Sequence, residues 1–161
     1  MKTIAAVILL ACSALCQDKA AISAAEAACG PRDMQFEVTD ESSHPTQVPE
    51  NGKAVIYVVH EAYGTTRLGV DGKWIGALKG LRTYFSASID PGEHHICAIL
   101  HQSVWSHVSL HVLKAEPGET YYFVAHVVGT FDTSWFYLRQ VDSDEGKWLI
   151  AGAKFNASRP N

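Results

Sequence analysis

No stretch of this 161-residue chain is apolar for the roughly 18–20 residues that a membrane-spanning helix needs. Basic runs are missing as well. Thirteen Lys and Arg stand against 17 Asp and Glu, a net charge of −4 with the eight His neutral, so the chain lacks the positive footprint of a nucleic-acid binder. Cysteine is sparse, at four, and without a Cys-x-x-Cys the usual zinc and thiol-redox arrangements are excluded. There is no His-Glu-x-x-His, no Gly-x-Ser-x-Gly elbow, and no calcium loop with alternating ligands and a closing Glu. No nucleophile–base pair can be assembled, which points away from an enzyme and from a cofactor. Internal repeats and low-complexity linkers are also lacking.

The remaining composition is 47% hydrophobic and 19% charged, enough apolar surface for one real core in one domain. The N-terminus has the layout of a secretory signal peptide over residues 1–16. Met1-Lys2 is a short positive end, Thr3–Ala11 an apolar run, and small residues lead to polar Gln17-Asp18-Lys19. Cleavage after Ala14 or Cys16 suits this layout. Leu9-Leu10-Ala11-Cys12 also has the form of a lipobox, which would leave Cys12 lipidated and the protein tethered to a membrane. Cys29 and Cys97 remain after the signal, and an even count in an exported chain predicts one disulfide. It would close about 68 residues, worth roughly 3–4.5 kcal/mol in the chain-entropy account. Two buried thiols are the alternative.

Beyond the signal, residues 17–52 read as an extension and loop. Residues 18–28 are Ala-rich and predict a frayed helical turn. Met34–Val38 alternates as a strand does, and 39–52, with two prolines and few apolar residues, reads as surface loop. From Lys53 the pattern is β. Residues 54–59 (AVIYVV) predict a central strand buried on both faces. Further strands follow at Thr65–Val70, from Lys73, and at Tyr84–Ile89, Glu93–Leu100, His107–Leu113, Thr120–Val128 and Trp135–Val141. Asp71-Gly72, Asp90-Pro91-Gly92 and Glu116-Pro117-Gly118 supply turns between them. Asp142 is placed to cap a short helix with Glu145 as box partner, and Lys147-Trp148-Leu149-Ile150 would give its apolar face. The expected fold is an all-β antiparallel sandwich of about seven to nine strands over 53–153, with a short C-terminal helix and a loose tail at 154–161.

The turns occur in a recognisable order: Gly52-Lys53-Ala54-Val55-Ile56-Tyr57, Val70-Asp71-Gly72-Lys73-Trp74-Ile75-Gly76, Tyr84-Phe85, Pro91-Gly92-Glu93-His94 and Ala115-Glu116-Pro117-Gly118-Glu119-Thr120-Tyr121-Tyr122. Together they resemble domain-of-unknown-function family 2846, a bacterial envelope-associated group, from about Lys53 to Val141. The Cys29-Gly30-Pro31 start and the Asp142–Lys147 segment resemble its acidobacterial-type branch. The core motif is also similar to PEGA-type surface domains, which are small β-sandwich modules. The resemblance implies a sandwich and an envelope address. It implies no activity, so no catalytic residue is carried over.

Three sets of side chains could serve a ligand. His107 and His111 lie four apart on one strand, on the face opposite Val108, Leu110 and Val112. They read as a solvent-facing polar stripe, with imidazole metal binding as the sharper alternative. Trp105 sits between polar residues in a predicted loop, and it and Trp74 are the candidates for stacking on a sugar or anchoring a partner. Asp142, Asp144 and Glu145 fit helix capping better than a metal site. The function expected from all this is a non-enzymatic exported module of the bacterial envelope. It would present loops such as 60–66 and 100–106 to an envelope protein or polymer, with small-ligand or carbohydrate binding next. Intact-mass analysis of the exported protein checks the address and the crosslink together. The expected species starts after Ala14 or Cys16 and lacks two hydrogen atoms relative to its free-thiol form.

Overall fold

The computed structural model describes residues 29–31, 33–101, 106–129 and 134–161, with the backbone alone at 106, 107 and 134. The signal peptide, the Cys12 lipidation site, the Ala-rich turn and Trp105 fall outside those residues.

Among the described residues ten strands form two packed sheets. In chain order they are β1 (Phe36–Glu41), β2 (Ala54–Glu61), β3 (Thr65–Val70), β4 (Lys73–Lys79), β5 (Thr83–Ile89), β6 (Gly92–His101), β7 (Ser106–Ala115), β8 (Thr120–Gly129) and β9 (Ser134–Val141). The helix α1 (Ser143–Ala151) and the strand β10 (Lys154–Pro160) follow. The larger sheet runs β1-β10-β5-β2-β8-β9 and the smaller β4-β3-β6-β7. The sandwich is thus confirmed, with corrections. The larger sheet is mixed rather than wholly antiparallel, because β2 pairs parallel with β8 and β10 parallel with β5. Strands β1 and β10, both outside 53–153, belong to the larger sheet, and the segment expected as a loose tail is an interior strand.

Local chemistry explains the elements. Asp71 (φ 51°) and Gly72 (φ 75°) both take positive φ and turn β3 into β4, the backbone that a two-residue hairpin of right-twisted strands requires. In β2, Ala54, Ile56 and Val58 enter the core between the sheets, while Val55, Tyr57 and Val59 join Tyr84, Tyr122 and Val124 on the outer face of the larger sheet. Both parities are apolar because both faces are covered. A third cluster lies outside the smaller sheet, where Cys29, Trp74, Cys97 and Ile99 pack with Met34 and Phe36.

The strand missed in the sequence holds the sandwich shut at one end. Side chains of β10 reach across to β4, whose outer edge has no backbone partner in its own sheet. Ser158 Oγ accepts from Ala77 N, and Asn156 Oδ1 from Lys79 N, each at 2.8 Å. Asn156 Nδ2 donates to Asp40 on β1 at 2.9 Å, and its side chain is wholly buried. At the other end Leu138 N on β9 donates to Ser109 Oγ on β7 at 2.9 Å. Removing the Asn156 amide strands a buried donor, which costs about 1–3 kcal/mol. Asn156→Ala is therefore expected to lower unfolding stability by about that amount in urea titration, and Ser158→Ala by about 1 kcal/mol. Wild-type stability in both variants would refute the seam.

Candidate functional site

The residues singled out in the sequence have distinct fates. Cys29 and Cys97 form the disulfide, with Cα atoms 5.4 Å apart and 68 residues between them in sequence. Trp74 is not a ligand platform. It is 8% exposed, its Nε1 donates to Pro31 O at 2.7 Å, and the Arg67 guanidinium lies 4.5 Å from its ring centre. It plugs the cluster around the disulfide. Trp105 and the His107 side chain lie outside the described residues.

The β7 stripe is inverted relative to expectation. His111 turns toward the larger sheet, edge-on to Phe123 at 5.1 Å, and its Nε2 donates to Gln140 Oε1 at 3.2 Å. Leu110 and Val112 are the exposed residues, at 56% each. The register with β6 sets this. Cys97 lies opposite Leu110 and Ile99 opposite Val108, while Ile96, Ala98 and Leu100 fill the inter-sheet core. The even positions of β7 must therefore share the outer face with the disulfide. Among the described residues no group of three or more His, Cys, Asp or Glu is placed to hold a metal ion.

The surface with the most built structure is the outer face of the larger sheet around α1. Asp142 caps the helix by accepting from Asp144 N and Glu145 N, both at 2.9 Å. Glu145 does not complete a capping box. Its carboxylate takes Arg139 of β9, with the shorter contact at 2.7 Å, and that hydrogen bond leads the causes that raise the guanidinium pKa. Gly146 lets the helix lie directly on Tyr122, since a Cβ there would collide with the ring. Leu149 and Ile150 then pack on the sheet.

Trp148 is left standing out at 75% exposure. It borders a groove of about 450 Å³ whose other walls include Val59, Glu61, Arg82 and Leu149. Arg82 holds φ 55°, a conformation uncommon for a residue other than glycine. Its backbone is clamped on both sides, N–H to His60 O and C=O from Lys154 N, each at 2.9 Å. On the same face Glu61 pairs with His126, and His126 with Tyr137, across β2, β8 and β9. The sequence pattern puts Trp148 in the apolar face of this helix, and the structure turns it outward. The usable signal was Gly146, whose lack of a side chain marks the contact line and puts Glu145, Leu149 and Ile150 beside it.

Two histidines serve the fold. His60, fully buried, points from β2 to the smaller sheet. Its Nδ1 faces Gly80 O at 2.8 Å, so Nδ1 carries the proton and Nε2 accepts from the Thr66 hydroxyl at 2.8 Å. Burial pushes its pKa down, the Gly80 carbonyl opposes this in part, and the net shift is downward. His94 sits at the β3–β4 turn between two acceptors, Asp71 Oδ2 at 2.7 Å and Asp90 O at 2.6 Å. Burial lowers its pKa, but the Asp71 hydrogen bond, the Asp90 carbonyl and the charges of both carboxylates outweigh this, and the net shift is upward.

No family model, no curated protein and no solved structure matches this chain. The resemblance drawn from the turn motifs rests on those residues alone.

The two histidines respond to pH with opposite signs. The lowered His60 contributes stability above its unfolded pKa near 6.5, and this is lost as pH falls through the folded value. The raised His94 contributes below about 6.5, and its share is lost as pH rises through the folded value. The melting-temperature deficit of His60→Gln should therefore shrink on moving from about pH 8 to pH 5, and that of His94→Gln should grow. Parallel deficits in thermal melts across this range would contradict the assignment.

Proposed function

We propose that this chain is a non-enzymatic, exported β-sandwich module of the bacterial cell envelope that holds an envelope protein or polymer against its helix-bearing face. The carrying observation is Trp148, 75% exposed on a helix whose neighbouring apolar residues are packed. An indole presented on a capped helix over a β-sheet is a rigid anchor of the kind that dominates interfaces. The Cys29–Cys97 disulfide supports an oxidising compartment. Among the described residues no helix is long and apolar enough to cross a membrane. The signal-peptide layout and the resemblance to family 2846 support the envelope address.

A second reading is a carbohydrate binder. The groove beside Trp148 has the volume for a sugar ring, and Glu61 and Arg82 flank it with hydrogen-bonding groups.

Trp148→Ala decides whether this face binds. It should leave the melting temperature within about 1 °C, because the indole packs on little, and weaken retention on isolated envelope polymer or envelope-protein fractions by about 10–100-fold. Unchanged retention would reject the face. Tryptophan quenching by soluble oligosaccharides, lost in Trp148→Ala, would favour the carbohydrate reading over the first.

A further inference from the structure

A second cavity lies on the other flank of α1, sharing only Ala151 with the Trp148 groove. Its roof is the strap of residues 42–50, held where the Tyr57 hydroxyl accepts from Gln47 N at 2.8 Å and donates to Gln47 O at 3.2 Å, and where His44 stacks on Tyr84 at 6.0 Å. The space beneath is about 310 Å³ and is walled by Tyr57, Tyr84, Tyr122, His44, Thr46 and Lys147, among others. Tyr57 and Tyr122 stack at 5.4 Å with planes 15° apart, and Tyr57 and Tyr84 lie 6.2 Å apart. The lining is thus rich in packed aromatic rings.

The polar groups here are left over from the fold. Tyr84 is fully buried and lines the cavity, yet its hydroxyl has no hydrogen-bond partner among the described residues. A buried hydroxyl without a partner costs about 1–3 kcal/mol, so the Tyr84 hydroxyl calls for an acceptor. Burial, then the neighbouring Tyr57, raises the Tyr84 pKa, which keeps the phenol a donor. Lys147 adds a cation at the rim, and no carboxylate lines the cavity. The Tyr84 donor and the Lys147 charge together suit an anionic acceptor, while the buried and unpartnered Gln47 Oε1 of the strap would take a donor.

We propose that this cavity binds a small monocarboxylate with a flat apolar body, the carboxylate meeting the Tyr84 hydroxyl and the Lys147 ammonium and the body lying against the tyrosine rings. The volume suits roughly 10–15 non-hydrogen atoms. A ligand of that size, with a charge-assisted hydrogen bond, binds with a Kd at or below about 1 mM.

The test titrates the folded, disulfide-intact protein with benzoate, 3-phenylpropionate and indole-3-acetate, and with the matching primary amides, followed by NMR of the tyrosine ring protons. At least one acid is expected to bind with a Kd at or below about 1 mM and its amide at least about tenfold more weakly. Tyr84→Phe and Lys147→Met should each weaken the acid by about tenfold or more. Tyr84→Phe should also melt at or above the wild-type temperature, because the hydroxyl it deletes has no partner among the described residues. No binding by any of the three acids, equal binding of acid and amide, or a Tyr84→Phe variant that is destabilised while still binding the acid would each overturn the proposal. The last result would make the hydroxyl part of a hydrated structural network. Since Trp148 is not in this cavity, failure here leaves the reading of the Trp148 face untouched, and the converse also holds.

Discussion

Strand β2 has no solvent-facing side, and the rest of the architecture follows from that. Seven consecutive residues from Ala54 to His60 are buried. One parity is covered by the smaller sheet. The other, Val55, Tyr57 and Val59, needs cover outside the larger sheet, at about 25 cal/mol for each Å² of apolar surface removed from water. A two-layer sandwich has nothing to offer there. The chain therefore adds two pieces: α1, inserted between β9 and β10, and the strap before β2, pinned through the Tyr57 hydroxyl. Neither piece alone covers the face. The helix is nine residues long and too short to be stable by itself, so its hold depends on the Gly146 contact with Tyr122 and on Leu149 and Ile150.

The smaller sheet meets the same demand differently. Its outer face is covered by Cys29, Met34 and Phe36, fixed by the disulfide, by the Trp74–Pro31 hydrogen bond and by the Arg67 guanidinium donating to Met34 O at 2.9 Å. A covalent tie is suited to a stretch with so few apolar residues of its own. Between the layers, polar side chains close what the strands leave open. Asn156, Ser158 and Ser109 take backbone donors at the sheet edges, and His60 bridges the sheets inside. Edge strands left bare recruit other chains, so these few amides and hydroxyls contribute to keeping the sandwich closed as well as stable.

Which parts were legible in the sequence depends on whether the deciding interaction was local. The β3–β4 hairpin is set by the backbone preferences of Asp71 and Gly72, and its position was read correctly. Strand β2 was readable because double burial writes apolar residues at both parities. Strand β10 was not, since Asn156 and Ser158 hold it by hydrogen bonds to partners about 80 residues away, and a polar anchor looks like loop in a hydrophobicity pattern. The stripe of His111 shows a further limit: alternation gives the period of a strand but not its sign, and the sign came from the pairing of β7 with β6. Trp148 failed for a related reason. Its neighbours Leu149 and Ile150 are core, and an apolar run on a helix does not say which member faces out.

The two covering pieces also explain where binding features are found. Neither the inter-sheet core nor the disulfide cluster holds the open grooves of this face, as expected of close-packed interiors. The outer face of the larger sheet is different, because a short helix laid across a wide twisted sheet touches it along one line only. Space is left on both flanks, with Trp148, Arg82 and Glu61 on one side and the tyrosine walls under the strap on the other. Arg82 is held in a left-handed turn that glycine would take more readily, and Tyr84 and Ser86 keep hydroxyls that phenylalanine and alanine would spare. Each is a local departure from what stability alone would select. Arg82 and Tyr84 flank the same helix, on a face the fold was obliged to cover but had no need to make polar.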